Sequence, residues 1–113
     1  MIRARPNLNQ LHVLVVDDQQ PILDAVGAIL RASGAQVTTV ASAEEAVRLI
    51  QANHRCDVLL SDISMDGLGG RGLFDWLVVA HTDLLPRLLF MSGDVGDETC
   101  DFMTRCGRPL VAK

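Results

Sequence analysis

Long apolar runs are missing from this sequence. Its uninterrupted apolar stretches are short, VLVV and LLF among them, and fall far below the roughly 20 residues that a membrane-spanning helix needs. The first ten residues contain two arginines but no apolar stretch behind them, so the pattern of a secretory signal peptide is missing as well. Both absences predict a cytoplasmic domain that makes no membrane contact of its own.

Cysteine and lysine are also scarce. The three cysteines include no CxxC pair, which is poor material for a disulfide framework and typical of a reducing compartment, so we expect them to be small core residues. His54 and Cys56 lie two residues apart, but no second cysteine lies nearby, which makes a zinc site a weak hypothesis. Lys113 is the only lysine, the net charge is −4 and basic residues do not cluster, which argues against direct contact with nucleic acid.

The composition is that of an ordinary globular domain. The chain has 113 residues, 49% of them apolar and 21% charged, which suits one compact domain with a sizeable core. Residues 1–10 are polar and contain Pro6, so we predict a leader or linker there and a single domain over residues 11–113.

Short apolar runs alternate with helical patterns along this domain. The β-branched run over residues 11–16 predicts a strand buried on both faces, and further runs predict strands at 35–40, 57–61, 87–91 and 109–112. Apolar residues at helical spacing predict helices from Pro21 to Gly34, from the capping box of Ser42 and Glu45 to Asn53, over 73–80 and over 94–107. The glycines at 67, 69, 70 and 72 predict a flexible loop before the third helix.

This order of elements predicts an α/β fold with a doubly wound parallel sheet. Strands that alternate with helices form parallel sheets with right-handed crossovers and helices on both faces, as in Rossmann and flavodoxin-like folds. The GxGxxG turn of a dinucleotide site is missing, because the turn after the first strand reads DDQQP. Its carboxylates would repel a pyrophosphate, so no dinucleotide cofactor is expected there.

Polar and charged residues follow four of the predicted strands. Asp17 and Asp18 follow the first strand, Asp62 the third, Ser92 the fourth and Lys113 the fifth. Ligands of open parallel sheets bind beyond these strand ends, and a strand order of 2-1-3-4-5 would bring the three carboxylates within a few ångströms of one another. Each aspartate alone would be an ordinary loop residue, but the five residues together favour one shared site.

Three carboxylates this close repel one another unless they keep a proton or bind a cation. Oxygen ligands with room for water favour Mg²⁺, which would equip Asp62 as a nucleophile for phosphoryl transfer and screen the incoming phosphate from the acids. Ser92 and Lys113 would each contact a phosphoryl oxygen, one with a hydroxyl and the other with an ammonium group. The predicted chemistry is the formation of an aspartyl phosphate on Asp62.

These motifs resemble the receiver domain of two-component response regulators, a family with the flavodoxin-like fold and strand order 2-1-3-4-5. VLVVDD resembles the family's acidic-pair strand, LLSDISMDGLGG its phosphoacceptor segment, LFMSGD its hydroxyl strand and GRPLVAK its lysine strand. The likeness covers residues 11–113, with 44 residues from Asp18 to Asp62, 30 from there to Ser92 and 21 more to Lys113. MSGD and GRPLVAK look especially like receivers fused to hybrid sensor histidine kinases.

The resemblance implies a self-catalysed phosphorelay switch rather than a turnover enzyme, with Asp62 as the phosphorylation site. The implied partner is a sensor histidine kinase or a histidine phosphotransfer protein. Ser92 would be the switch hydroxyl and Lys113 the phosphate-binding lysine, and phosphorylation would draw Ser92 inward and shift the segment after the fourth strand. The implied Mg²⁺ ligands are Asp17, Asp18, Asp62 and the backbone carbonyl of Ser64.

The sequence departs from the family pattern at three places. Asp66 stands where the family usually has proline, which adds a negative charge beside the site. Leu110 stands where an aromatic residue is frequent, so a switch based on a tyrosine rotamer cannot operate. The sequence ends at Lys113, before the family's fifth helix, so we expect a truncated fold with an exposed sheet face around strands one, three and five. Such exposure would destabilise the domain and would favour a homodimer, an element swap or another cover through that face.

Two other functions fit parts of the pattern. A degenerate receiver would act only as a protein-binding module, which Asp66 and the abrupt end favour and the retained site residues oppose. A haloacid-dehalogenase-like phosphatase also forms an aspartyl phosphate with Mg²⁺, but it needs an acid at the position of Ser64 and a cap for which 113 residues leave no room. Mg²⁺ binding would separate the first alternative, and turnover of a phosphate ester would support the second.

Overall fold

The structure is a computed structural model that describes residues 11–63, 69–92, 106–108 and 110–112. The predicted leader over residues 1–10 and nearly all of the predicted helix over 94–107 lie outside this description. The elements are, in chain order, β1 (His12–Val16), α1 (Gln20–Ala32), β2 (Gln36–Val40), α2 (Ala43–Gln51), β3 (Val58–Asp62), α3 (Gly69–Ala80), a 3-10 helix (Thr82–Arg87), β4 (Leu88–Ser92) and β5 (Leu110–Ala112).

The five strands form one parallel sheet in the order β2-β1-β3-β4-β5, which confirms the predicted fold. Val13 of β1 lies opposite Val37 of β2 on one side and opposite Val58 of β3 on the other. Each strand begins one residue later than predicted. The winding changes direction between β1 and β3, and the crevice beyond their carboxyl ends is the place where sheets of this kind bind ligands.

Two apolar layers fill the space on the two faces of the sheet. The larger layer lies under α2 and α3, and its buried members include Leu14, Leu59, Leu73, Leu77, Leu88 and Phe90. The smaller layer lies under α1, and its buried members are Val13, Val15, Leu23, Ala35 and Met91. Cys56 belongs to the larger layer, as predicted for a small core residue.

The sheet face that was expected to be exposed to solvent is only partly exposed. Val13 and Val15 of β1 are 5% and 0% exposed, because α1 covers them, so the expected exposure does not extend to the first strand. Val58 and Leu60 of β3 are half-buried at the rim of the same layer. The side chains of the fifth strand lie outside the described part of the chain.

The ends of α1 and α2 follow the predicted signals. Ser42 caps the amino end of α2, where its Oγ accepts a hydrogen bond of 3.2 Å from the backbone N–H of Glu45. Gly34 follows α1 with a φ of 97°, in the left-handed region that favours glycine. Among the residues described, no helix combines the length and the apolar character that crossing a membrane requires.

Helix α3 begins earlier than predicted. The prediction of a flexible glycine loop is wrong for three of its four glycines, because α3 spans Gly69–Ala80. The buried Leu73 and Leu77 anchor this helix in the larger core layer. Gly69 has a φ of 68°, and Gly70 packs directly against the backbone at the end of β3. These two glycines therefore serve a tight turn and a close approach rather than flexibility.

Asp57 holds the opposite, amino-terminal edge of the sheet. Its backbone N–H donates to the carbonyl of His12 at 2.7 Å, and its carboxylate accepts from the backbone N–H of His12 at 2.8 Å, which ties the starts of β1 and β3 together. The carboxylate also pairs with Arg55 at 3.2 Å and with Arg87 at 4.0 Å. Arg87 ends the 3-10 helix, an element that the sequence patterns did not predict.

Asp57→Asn is expected to reduce the stability that the domain loses at acid pH. The hydrogen bond from the backbone of His12 holds the pKa of Asp57 below its usual 3.8, and the two arginines act in the same direction. A carboxyl group with a lowered folded-state pKa stabilises the fold fully above its unfolded pKa, and this stabilisation is lost as the pH falls through the folded pKa. The drop in urea stability between neutral pH and about pH 3 should therefore be smaller for Asp57→Asn than for the unaltered chain. Asp75→Asn, at an exposed position of α3, is the control, and equal drops in all three proteins would contradict this role.

Candidate functional site

Three aspartates converge at the carboxyl edge of the sheet. Asp17 and Asp18 follow β1, and Asp62 is the last residue of β3. Because Val16 lies opposite Ser61 in the pairing of these neighbouring strands, the next residues of both strands come side by side. One carboxylate oxygen from each of the three aspartates lies within 4.8 Å of the other two. The structure therefore brings together the carboxylates that were predicted to form a site.

The three carboxylates differ in exposure. Asp17 is 0% exposed and Asp62 is 4% exposed, whereas Asp18 is open to solvent. Buried carboxylates are tolerated where hydrogen bonds or cations compensate for their lost hydration. The cluster thus has a buried floor and one open side.

Asp17 is tied to its surroundings by its backbone and its side chain. Its backbone N–H donates to the carbonyl of Val40 at 3.2 Å, which continues the pairing of β1 with β2. Its Oδ1 accepts a hydrogen bond of 2.9 Å from the backbone N–H of Gln19. Gln19 precedes α1 and offers no side-chain cap of its own, so the Asp17 carboxylate takes part in organising the start of that helix.

Asp62 is positioned by contacts of the backbone around it. Ser61 donates from its Oγ to the carbonyl of Asp62 at 3.0 Å, and the N–H of Ile63 donates to the carbonyl of Met91 at 3.1 Å. Ser61 is fully buried in the sheet. Sequence reasoning missed Ser61, although a single hydroxyl inside the otherwise apolar run VLLSD is a visible signal.

The donor set of this cluster fits Mg²⁺. Three carboxylates supply hard oxygen ligands, and the open side at Asp18 leaves room for the waters and phosphate oxygens that Mg²⁺ commonly keeps. In the described ranges no other group of three or more His, Cys, Asp and Glu side chains comes this close, so the weak zinc hypothesis for His54 and Cys56 gains no support there. Burial raises the pKa of the Cys56 thiol to about 11, with a smaller contribution from the charge of Asp57, so this thiol stays neutral in the core.

The other predicted site residues are described in part or not at all. The backbone of Ser92 ends β4, one residue beyond Met91, which lies opposite Asp62. Strand β4 therefore brings Ser92 to the same edge of the sheet, although its side chain is outside the description. Ser64, Asp66 and Lys113 also lie outside the described residues.

Comparison with known proteins gives one consistent family. The chain matches the sequence model of the "Response regulator receiver domain" over residues 13–107. The rice (Oryza sativa subsp. japonica) protein named "Two-component response regulator ORR27" is 30% identical over 106 residues, which cover 85% of this chain and 16% of that protein. The rice protein named "Probable histidine kinase 4" is 37% identical over 59 residues, which cover 52% of this chain and 6% of that protein.

Solved structures agree with this match. The Vibrio cholerae chemotaxis protein CheY4 is 25% identical, with a TM-score of 0.79 over 91% of this chain and 86% of that chain. The matched regions span less than a fifth of the length of each of the two rice relatives. The family match covers most of the chain and includes the strand ends that carry the three aspartates. The chain therefore belongs to the response regulator receiver domain family of two-component signalling.

Proposed function

We propose that this chain is a phosphoacceptor receiver in which Asp62 takes a phosphoryl group from a phosphohistidine. The donor would be a sensor histidine kinase or a histidine phosphotransfer protein. The observation that carries the proposal is the convergence of Asp17, Asp18 and Asp62 within 4.8 Å at the carboxyl edge of the sheet. This arrangement pairs a nucleophile with a binding site for the cation that phosphoryl transfer needs.

The transfer is a displacement at phosphorus. An oxygen of the Asp62 carboxylate forms a bond to the phosphorus atom, and the bond from phosphorus to the histidine nitrogen breaks. The electron pair of that bond stays on the imidazole, and the product is an aspartyl phosphate. Because the phosphoryl group stays on a side chain of the domain itself, the domain would serve as a switch rather than as a turnover enzyme.

The cation would be held by Asp17, Asp18, Asp62 and the backbone carbonyl of Ser64. When bound, Mg²⁺ supplies the positive charge that lets a phosphoryl group approach three carboxylates. Asp17 also keeps its hydrogen bond to Gln19, and its buried position fixes the floor of the site. Ser92 and Lys113 are proposed to contact phosphoryl oxygens through their hydroxyl and ammonium groups, and movement of Ser92 would report phosphorylation to a partner.

Acetyl phosphate provides a direct test without a cognate kinase. Incubation of the chain with acetyl phosphate and Mg²⁺ should add the mass of one phosphoryl group, and peptide mapping should locate it on Asp62. Omission of Mg²⁺ or addition of a chelator should prevent the adduct. A chain that stays unmodified under these conditions, although it is folded and binds Mg²⁺, would contradict the proposal.

Asp17→Asn is expected to weaken Mg²⁺ binding by roughly 10- to 100-fold, because an amide replaces a charged oxygen ligand. Isothermal titration calorimetry measures the effect directly. Asp24→Asn, at an exposed carboxylate on α1, is the matched control and should bind Mg²⁺ like the unaltered chain. A protein-binding module without phosphorylation chemistry has no need of Mg²⁺, so absence of binding in the unaltered chain would favour that alternative.

We assign residues 11–113 to the receiver unit and residues 1–10 to a leader or linker. The matches to a response regulator and to a histidine kinase support both settings for such a unit, and the hybrid-kinase setting suggested by MSGD and GRPLVAK stays a prediction. The cytoplasmic location, the absence of direct nucleic-acid contact and a homodimer through the sheet face beside α1 also stay predictions.

A further inference from the structure

Gly70 lies in the first turn of α3, against the backbone that carries Asp62. A β-carbon built on Gly70 would overlap the carbonyl oxygen of Asp62, and would come within 2.8 Å of the Cα of Ile63 and 3.1 Å of the carbonyl carbon of Asp62. All of these atoms belong to the backbone, which cannot swing aside as the end of a flexible side chain can. Any other residue at this position must displace either α3 or the end of β3.

Three hydrogen bonds also hold the backbone of Asp62 and Ile63. The buried Ser61 donates its hydroxyl hydrogen to the carbonyl of Asp62 at 3.0 Å. The N–H of Gly70 donates to the carbonyl of Ile63, and the N–H of Ile63 donates to the carbonyl of Met91, both at 3.1 Å. The backbone of Asp62 and Ile63 is therefore held in place by contacts to β4, to the first turn of α3 and to Ser61.

We propose that Gly70 and Ser61 are positioning residues that set where the Asp62 carboxylate stands relative to Asp17 and Asp18. This inference rests on the proposed phosphoacceptor function. The carboxylate carbon is only two bonds from the Cα of Asp62, so a shift of the backbone moves the reacting oxygen with it. A displacement of about 1 Å can cost a reaction roughly 100-fold in rate, because the reacting atoms no longer meet in line.

Gly27 provides a matched comparison within the same fold. It is also a buried glycine inside a helix, and its β-carbon would approach Nη1 of Arg31 to 3.1 Å. That atom is the far end of a flexible side chain and can move away. Alanine is a better helix former than glycine, so Gly27→Ala carries no helix penalty, and its new methyl group meets a movable side chain where that of Gly70→Ala meets backbone.

The test compares Gly70→Ala, Gly27→Ala and Ser61→Ala with the unaltered chain. For each protein we would measure the melting temperature, the rate of phosphorylation by acetyl phosphate at saturating Mg²⁺, and the ¹³C resonances of the Asp62 carbonyl and carboxyl groups. Gly70→Ala is expected to lower the rate per folded molecule by roughly 10- to 100-fold and to shift the Asp62 resonances. Ser61→Ala, which removes one hydrogen bond to the same carbonyl, should lower the rate about fivefold. Gly27→Ala should change neither the rate nor the resonances.

The outcomes separate this inference from the proposed function. If the unaltered chain is phosphorylated and Gly70→Ala matches it in rate and in the Asp62 resonances, the positioning role is wrong and the function stands. If no protein accepts a phosphoryl group, the proposed function fails, and the resonances alone decide whether Gly70 locates Asp62. If Gly70→Ala does not fold, Ser61→Ala decides, and an unchanged rate together with unchanged Asp62 resonances would overturn the inference.

Discussion

Asp62→Asn is expected to abolish phosphoryl acceptance completely. The amide has nearly the shape of the carboxylate, but it lacks the charged oxygen that attacks phosphorus. Asp62 is 4% exposed at the end of β3, and both the hydrogen bond from Ser61 and the pairing with Met91 locate it through its backbone. These contacts persist in the variant, so the loss should reflect chemistry rather than unfolding. Intact mass after incubation with acetyl phosphate and Mg²⁺ measures the effect.

Two further measurements sharpen this prediction. Without Mg²⁺, Asp62→Asn should melt at the same temperature as the unaltered chain or at a higher one, because one of three neighbouring negative charges has been removed. Asp75→Asn, on the exposed face of α3, controls for the substitution itself and should be phosphorylated normally. An adduct that persists in Asp62→Asn would show that another residue, such as Asp17 or Asp18, accepts the phosphoryl group.

Phe90→Ala is expected to destabilise the fold by about 3–5 kcal/mol, which is the usual effect of removing a large aromatic side chain from a packed core. Phe90 is 0% exposed on β4, and it belongs to the layer that α2 and α3 cover. A typical domain has only about 5–15 kcal/mol of total stability, so the variant should be partly unfolded near room temperature if the chain lies at the low end of that range. Urea titration followed by circular dichroism measures the shift in midpoint.

Phe90→Leu provides the control for this core position. It keeps an apolar side chain of similar volume and should cost less than about 1.5 kcal/mol. Fluorescence of Trp76, the only tryptophan, offers a second probe because that side chain packs against the same layer. If Phe90→Ala and Phe90→Leu unfold at the same urea concentration as the unaltered chain, β4 does not contribute to the core as the structure places it.

The sheet and its acidic cluster were predictable because strong local signals carry them. The strands are short runs rich in apolar or β-branched residues, and the alternation with helices leaves few ways to connect them. The three aspartates then follow from the strand order, since Asp17 and Asp62 end up beside each other once β1 pairs with β3. The capping box at Ser42 and Glu45 is local as well, and it appears in the structure as predicted.

The features that escaped prediction depend on contacts between distant parts of the chain. Glycines 69 and 70 suggest a loop because glycine is a weak helix former, but Gly69 supplies the positive φ that begins α3, and Gly70 lets α3 pack against the end of β3. The 3-10 helix over Thr82–Arg87 contains Pro86, which reads as a break in a local pattern. Its last residue, Arg87, donates to the carbonyl of Cys56, which is 31 residues away in the chain. Contacts between residues so far apart in the chain cannot be predicted from local sequence patterns.

Two carboxylates with different contacts, Asp57 and Asp62, lie at the two ends of strand β3. Asp57 stands just before the strand, where it binds the backbone of His12, and Asp62 closes the strand at the opposite edge of the sheet. Five residues of extended chain place these groups about 16 Å apart. Changes at sites this distant usually add without interaction. The resistance of the domain to acid can therefore be engineered at one end of β3 while the proposed phosphoacceptor site at the other end is left as it is.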